Sequence, residues 1–173
     1  MNVAIYGGSF DPVHSGHLDT IKKALIKLDI DRLIVVPAFR NPFKSTINAP
    51  AELRISWLKK FCRPYKKVQV SDFEIKKKRA IPTIETVNYF SKKYKKIYLI
   101  IGSDNLHNLH KWYKFSRLSS KVTFVVATRE GYVKAHPYIR LNVHQNVSSS
   151  ALRSFSNNKF LNKEIENYYA RKN

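Results

Sequence analysis

The chain has 173 residues, of which 43% are hydrophobic and 25% are charged. This composition is typical of a protein that buries a core. It excludes the class of disordered chains, which are poor in hydrophobic residues. The length is within the usual range for one domain, so we expect residues 1–173 to form a single domain.

The charge balance is strongly basic, with 32 Lys and Arg residues against 12 Asp and Glu residues and a formal net charge of +20. Such a chain attracts polyanions: nucleic acid, acidic lipid or nucleotide phosphates. The lysines are scattered, with only short clusters at 76–79 and 92–96. This distribution favours a lysine-rich solvated surface over a dedicated nucleic-acid footprint.

Cysteine usage and apolar runs bear on location. The single cysteine, Cys62, cannot form an internal disulfide, and no Cys/His cluster has the spacing of a zinc site. The first residues lack a signal-peptide pattern, and the apolar runs are too short to span a bilayer. We therefore expect a cytoplasmic protein that is not associated with a membrane and has no metal ion bound by its side chains.

The N-terminal third has the pattern of a strand–helix–strand unit. An apolar run at 3–6 ends in Gly7-Gly8, where the backbone can form a sharp turn with little strain. Leu18, Ile21, Leu25 and Leu28 then recur at helical spacing, and a second apolar strand follows at 33–36. In such units ligands bind at the carboxyl ends of the strands.

The remaining segments are assigned from the same periodicities. We predict a loop at 38–50 and strands at 68–70, 73–75, 97–101 and 122–127. We predict helices at 51–61, from a Thr83 cap onward, at 149–155 and at 162–169. The expected fold is α/β: a Rossmann-like doubly wound parallel sheet with helices on both faces and a small helical C-terminal part.

The strongest chemical signal is residues 7–17, Gly-Gly-Ser-Phe-Asp-Pro-Val-His-Ser-Gly-His, between the first strand and the first helix. Glycines let the backbone approach a phosphate chain, and the helix N-terminus favours an anion. His14 and His17 lie on one side of the incipient helix, where imidazoles can donate hydrogen bonds to phosphate oxygens. The alternative is that they only cap the helix.

This segment resembles the motif of the (T/H)xGH adenylyltransferases, relatives of the class I aminoacyl-tRNA synthetases. Residues 147–153, Val-Ser-Ser-Ser-Ala-Leu-Arg, are similar to that family's ISSTxxR motif. Hydroxyl and N–H groups at a helix start, with an arginine one turn later, also form an anion site on physical grounds. An ordinary helix cap with a surface arginine is the other reading.

The resemblance implies which residues bind ATP and which are catalytic. Lys44 is similar to the lysine that the family places on a loop over the triphosphate. The implied catalytic residues are His14, His17, Lys44 and Arg153. The implied ATP-binding residues are Gly8, Ser9, Phe10, His14, His17, Gly102, Asp104, Ser148, Ser150 and Arg153.

Three further stretches resemble the nicotinate mononucleotide branch of the family: 83–86, 102–104 and 111–113. The branch stacks a tryptophan on the pyridine ring and receives the nicotinate carboxylate on main-chain N–H groups. The resemblance assigns these roles to Trp112, Thr83 and Tyr113.

Other polar residues have more than one interpretation. Asp104 can accept hydrogen bonds from an adenosine ribose, and Asp11 can shape the turn within residues 7–17, which we call the phosphate turn. Either aspartate can equally cap a helix. Arg54 and Arg129 match arginine positions of the branch, but Glu130 replaces the proline usual after the second one.

The resemblance implies transfer of the adenylyl group of ATP to nicotinate mononucleotide, with Mg²⁺ held mainly by the phosphates. The expected partners are ATP and nicotinate mononucleotide, in a monomer or homo-oligomer. Nicotinamide mononucleotide and phosphopantetheine are the alternative acceptors. From a different class, a basic nucleic-acid-binding domain is the other possibility.

Overall fold

A parallel sheet is the centre of the computed structural model, which describes residues 1–40, 47–129, 135–144, 149–153 and 163–172. The strands of this sheet are β1 (Asn2–Gly8), β2 (Arg32–Pro37), β3 (Val68–Val70), β4 (Lys96–Gly102), β5 (Thr123–Arg129) and β6 (Ile139–Val143). Their order is β3-β2-β1-β4-β5-β6, and every neighbouring pair is parallel. The chain thus extends the sheet first to one side of β1 and then to the other, so the switch point lies between β1 and β4.

Helices cover both faces of the sheet, as the two-sided apolar strands require. The α-helices are α1 (Ser15–Lys27), α2 (Ala51–Cys62), α3 (Phe73–Lys76), α4 (Thr83–Ser91), α5 (Phe115–Ser119), α6 (Ser149–Arg153) and α7 (Lys163–Ala170). A 3-10 helix spans Ser103–Lys111. Among the described helices, none has the length and hydrophobicity needed to span a bilayer.

The core is divided into two layers by the alternation of side chains along β1. Ala4 and Tyr6 pack in the layer with α1, α2 and α7, whereas Val3 and Ile5 pack in the layer with α4, α5 and the 3-10 helix. Side chains of successive strand residues point to opposite faces, so a run that is apolar throughout supplies both layers. The predicted doubly wound fold, with helices on both faces and a helical C-terminal part, is confirmed.

One predicted strand is wrong. Residues 73–75 belong to α3, a short helix that starts after Ser71-Asp72. The Ser71 hydroxyl accepts a hydrogen bond from the Phe73 N–H at 3.3 Å, a local bond that turns the chain out of the sheet after β3. Asp72 occupies the N-cap position of the helix.

The structure also contains three elements that the periodicities did not predict: β6, α5 and the 3-10 helix. Strand β6 has alternating polar and apolar residues and pairs only with β5 among the described strands. A half-buried edge strand of five residues gives a weaker signal than the apolar runs of the central strands.

Two isoleucines of α1 allow a matched test of how this helix packs on the sheet. Ile21 is fully buried, whereas Ile26 is 84% exposed. We expect Ile21→Ala to lower the free energy of unfolding by about 2–5 kcal/mol and Ile26→Ala to change it by less than about 0.5 kcal/mol. Urea unfolding followed by circular dichroism measures both values, and equal losses would contradict the packing of α1.

Candidate active site

A cavity of about 410 Å³ lies at the switch point of the sheet, between the carboxyl ends of β1 and β4. We call it the switch-point pocket. Its lining includes Gly7, Gly8, Ala38, Glu74, Ile81, Pro82, Thr83, Gly102, Asn105, Lys111, Trp112 and Tyr113. The structure therefore places all three residues predicted to bind the nicotinate ring or its carboxylate in the wall of one cavity, beside Gly7 and Gly8.

Thr83 is the first residue of α4, not its cap, so the predicted capping role is wrong. Pro82 occupies the N-cap position, and no side chain caps this helix. Proline has no side-chain acceptor, which leaves the N–H groups of the first turn without a capping side chain. These N–H groups start at the edge of the switch-point pocket, where Thr83 lines the wall.

Trp112 and Tyr113 line the pocket from the end of the 3-10 helix. Trp112 is half-buried and packs against the second core layer, while Tyr113 is 59% exposed. A tryptophan held in this way presents part of its ring to the cavity, as stacking on an aromatic ligand requires.

Gly102 and Asp104 follow the end of β4. A Cβ on Gly102 would clash with Asp104 Oδ1, so a side chain at this position would displace the carboxylate. Asn105 donates hydrogen bonds to the Gly102 carbonyl at 3.3 Å and to Asp104 Oδ1 at 3.4 Å. Gly102 lines the pocket, whereas Asp104 is exposed beside it.

The phosphate turn is packed tightly where it leaves β1. Phe10 is 2% exposed and has a φ of 48°, and its ring packs edge-on against Tyr6 and His17. A Cβ on Gly8 would lie 3.1 Å from that ring. The Phe10 side chain is thus a core group, so any contact of this residue with a ligand falls to its main chain.

His14 and His17 form a capping box at the start of α1. The Gly16 N–H donates to His14 Nδ1 at 3.1 Å, and the His14 N–H donates to His17 Nδ1 at 3.1 Å. Because both Nδ1 atoms accept, the proton of each neutral imidazole is on Nε2. The two interpretations of these histidines are therefore compatible, since capping the helix fixes Nε2–H as the donor of each ring.

The Asp11 carboxylate holds the turn from inside. Asp11 is 3% exposed, and its side chain accepts from Asn48 N at 2.7 Å, Ala49 N at 3.0 Å and the Tyr169 hydroxyl at 2.5 Å. Burial, followed by the hydrogen bond to Asp11, raises the pKa of Tyr169, which keeps this hydroxyl a donor. Asp11 thus shapes the turn, and it is not a helix cap, because His14 occupies that position.

Arg54 ties the same turn to the neighbouring loop. Its guanidinium is completely buried and donates to the carbonyls of Ser9 at 2.6 Å, Ala38 at 2.8 Å, Ala49 at 3.0 Å and Phe39 at 3.2 Å. Burial lowers the pKa of this group, while the nearby Asp11 carboxylate opposes the shift. With four main-chain acceptors around it, Arg54 organises the backbone of the site.

The C-terminal motif reaches the phosphate turn, which joins the two motifs found at opposite ends of the sequence. The Ser149 hydroxyl donates to the Pro12 carbonyl at 2.9 Å, and Arg153 Nη1 donates to the Asp11 carbonyl at 2.5 Å. Lys44 and Ser148 lie outside the described residues, and the side chains of Ser150 and Arg129 are not described.

Glu74 is a carboxyl group of the pocket that the sequence did not single out. It is 8% exposed, and the Thr86 hydroxyl donates to its Oε1 at 2.6 Å. Burial raises the pKa of Glu74 to about 7, against an opposing effect of the Thr86 hydrogen bond. The sequence pattern predicts a strand at 73–75, whereas Glu74 lies in the short helix α3, where a single turn gives no periodicity to mark it as buried.

Among the described residues, the groups around the turn do not form a carboxylate cage for a metal. Asp11 is the buried carboxylate there, and both of its oxygens already accept hydrogen bonds. Within the described ranges, no group of three or more His, Cys, Asp or Glu residues is arranged to hold a metal ion.

Comparisons with known proteins agree with this geometry. Residues 5–155 match the cytidylyltransferase-like family model. A probable nicotinate-nucleotide adenylyltransferase of a Nitratiruptor species is 48% identical over 93% of this chain and 92% of its own. Its counterpart in Aliarcobacter butzleri, with the same description, is 45% identical over 96% of this chain and 93% of its own.

The chain belongs to the nicotinate-nucleotide adenylyltransferase family. It is therefore a nucleotidyltransferase, as the two motifs predicted. Plasmodium falciparum nicotinic acid mononucleotide adenylyltransferase, solved in complex with NaAD, has the same fold, with a TM-score of 0.78. That alignment covers 99% of this chain and 96% of the other at 21% identity.

Two adjacent tyrosines of α7 test the support of the turn. Tyr169 donates to the buried Asp11 carboxylate, whereas Tyr168 donates to the Asn48 carbonyl at 3.2 Å. We expect Tyr169→Phe to lower the free energy of unfolding by about 1.5–3 kcal/mol, because it removes a donor from a buried charge, and Tyr168→Phe by about 0.5–1.5 kcal/mol. Denaturant unfolding compares them, and a larger loss for Tyr168→Phe would contradict the assigned support.

Glu74 predicts a pH dependence of stability. Its raised pKa means that the folded chain binds more protons than the unfolded chain between about pH 4.5 and 7. The stabilising contribution of Glu74 is fully present below its pKa in the unfolded chain, and it is lost as pH rises through about 7. Glu74→Gln does not titrate, so its stability relative to the unsubstituted protein is expected to rise by on the order of 3 kcal/mol from pH 4.5 to 8.

Thermal unfolding across this pH range measures the difference. Glu164→Gln serves as the control, because the Glu164 carboxylate is exposed, pairs with Lys60 at 2.6 Å and is not among the charges that act on Glu74. A constant difference between the Glu74→Gln protein and the unsubstituted one would contradict the burial of Glu74.

Proposed function

We propose that the protein transfers the adenylyl group of ATP to nicotinate mononucleotide, giving nicotinate adenine dinucleotide and pyrophosphate in NAD biosynthesis. The observation that carries this proposal is the continuity of two sites. The switch-point pocket, with Thr83, Trp112 and Tyr113 in its wall, also includes Gly8, at the start of the turn that carries His14 and His17. The names of the two bacterial relatives support the same reaction.

The pocket has the features that a pyridine carboxylate needs. We assign Trp112 to stacking on the ring, and the main-chain N–H groups of Thr83 and Tyr113 to the carboxylate. The start of α4 supports this role, because it has no capping side chain and the positive end of a helix favours an anion.

The phosphate turn supplies the ATP side. We assign Gly8, Ser9, Phe10 and Ser150 to contacts with the nucleotide, with Gly102 and Asp104 on its ribose side. His14 and His17 donate from Nε2, and Arg153 and Lys44 add positive charge along the triphosphate. Ser148 belongs to the same anion site by the sequence motif.

The proposed reaction is one in-line displacement. A phosphate oxygen of nicotinate mononucleotide attacks the α-phosphorus of ATP, the bond from that phosphorus to the bridging oxygen breaks, and pyrophosphate leaves. A phosphate monoester is largely ionised at neutral pH, so no general base and no covalent enzyme intermediate are needed. The protein contributes positioning and donors for the charge that grows on the leaving group.

Mg²⁺ enters this proposal with the nucleotide. Because the Asp11 oxygens are occupied by N–H and O–H donors, we assign the ion to phosphate oxygens and water. Bound there, the ion neutralises phosphate charge. We also propose that residues 1–173 act as one domain, since α6 and α7 both contact the turn after β1.

Pyrophosphate release with Mg-ATP tests the reaction. We expect rapid release with nicotinate mononucleotide and at least about tenfold lower kcat/KM with nicotinamide mononucleotide, because the amide lacks the charge that the N–H groups receive. Equal rates would contradict the assignment of Thr83, Trp112 and Tyr113 to the nicotinate group. Absence of pyrophosphate release with both acceptors would contradict the proposed function.

Two replacements of His17 separate catalysis from capping. Asparagine retains an acceptor near the Nδ1 position but lacks a donor at the Nε2 position, whereas glutamine retains the outer donor and loses the inner acceptor. We expect His17→Asn to lower kcat by about 100- to 1000-fold with little loss of stability. His17→Gln is expected to retain more activity and to unfold at lower denaturant concentration. Steady-state rates and urea unfolding provide both readouts, and the reverse order of activities would refute the donor role of Nε2.

A further inference from the structure

Glu74 is a buried carboxyl group that the proposed reaction does not use. It comes from α3 and lines the switch-point pocket together with Thr83, Trp112 and Tyr113. A carboxylate is unexpected in the wall of a pocket that receives an anionic ring substituent. Two carboxyl groups in one low-dielectric cavity cannot both be ionised without a large cost in free energy.

The hydrogen bonding of Glu74 defines which atom can hold a proton. The Thr86 hydroxyl donates to Oε1 at 2.6 Å, so Oε1 is an acceptor while this hydrogen bond is in place. Among the described residues, no hydrogen bond to Oε2 is formed. The proton of the neutral acid therefore belongs on Oε2, where it can be donated to a ligand.

The charged groups around Glu74 come from three elements. Glu85 of α4 opposes ionisation of Glu74, and its own partner is Arg79. Lys111, at the end of the 3-10 helix, lines the same pocket. On α3 itself, Lys76 pairs with Asp72 at 3.0 Å, and Lys77 follows the helix.

We propose that Glu74 is a specificity-determining residue, which admits the nicotinate carboxylate to the switch-point pocket only when the Glu74 carboxyl carries a proton. This inference rests on the proposed function. Two carboxyl groups that share a site hold one proton between them, as in other carboxyl pairs. The proton comes from solvent, so binding of nicotinate mononucleotide takes up a proton.

The same group affects the choice between acid and amide. Neutral Glu74 is a donor that matches a carboxylate, whereas ionised Glu74 is an acceptor that matches the N–H of a carboxamide. Because burial raises the pKa of Glu74 to about 7, this exchange takes place near neutral pH. The preference for nicotinate over nicotinamide mononucleotide therefore decreases as pH rises.

Proton uptake on binding tests the proposal directly. Calorimetric titration of nicotinate mononucleotide in buffers of different ionisation enthalpy gives the number of protons taken up. At pH 7.5 we expect Glu74→Gln to take up about three-quarters of a proton less than the unsubstituted protein, the ionised fraction for a pKa of about 7. The substrate phosphate is common to both titrations, so its protons cancel.

The control and the kinetic readout use the same proteins. Glu164→Gln is the control, because Glu164 of α7 pairs with Lys60 and is not among the charges that act on Glu74, and it is expected to take up as many protons as the unsubstituted protein. The KM for nicotinate mononucleotide is expected to rise by up to about tenfold per pH unit above 7 in the unsubstituted protein, with a smaller rise in Glu74→Gln. Equal uptake and equal KM profiles for Glu74→Gln and the unsubstituted protein would overturn the proposal.

A second comparison decides the matter if Glu74→Gln does not fold. On the unsubstituted protein, nicotinate and nicotinamide mononucleotide carry the same phosphate, so a larger uptake with the nicotinate form supports the proposal and equal uptake overturns it. Failure of the proposed function is distinguishable, because pyrophosphate release with nicotinate mononucleotide would then be absent at every pH. That result also overturns the role of Glu74.

Discussion

The structure depends on one buried carboxylate, that of Asp11. The turn after β1 leaves the sheet with a buried phenylalanine at positive φ, and it has no regular ladder of its own to hold it. Asp11 supplies the missing support by accepting hydrogen bonds from the loop at Asn48 and Ala49 and from Tyr169. A buried charge is stable only with such partners, so the loop and α7 are fixed by the same group that fixes the turn.

The consequence is a turn whose groups are held in place by hydrogen bonds within the protein. The capping box orients both imidazoles through Nδ1, and Arg54 connects the carbonyls of the turn to those of the loop. Donors that need no rearrangement stabilise developing charge most effectively. In our proposal this preorganisation takes the place of a nucleophile or a general base, which the displacement does not need.

The sequence predicted the parts of the molecule that depend on local pattern. The central strands and α1, α2 and α4 follow from apolar periodicity, and the turn motif pointed to His14 and His17. It did not predict the edge strand β6, or α3, whose start depends on the Ser71 hydroxyl. The contact of Tyr169 with Asp11 and the burial of Glu74 were also not predicted, because Tyr169 lies 158 residues from Asp11 in the sequence and a single glutamate in a short helix gives no periodic pattern. Long-range contacts of this kind have no local pattern to predict them.

The most direct test of this account is the stereochemical course at the α-phosphorus. Nicotinate mononucleotide would be adenylylated with one diastereomer of ATP that carries sulfur on that phosphorus, and the configuration of the product determined by phosphorus NMR. A single displacement in a preorganised site predicts inversion. Retention would mean two displacements through a covalent enzyme intermediate, and it would contradict the claim that positioning by the Asp11-supported turn is sufficient.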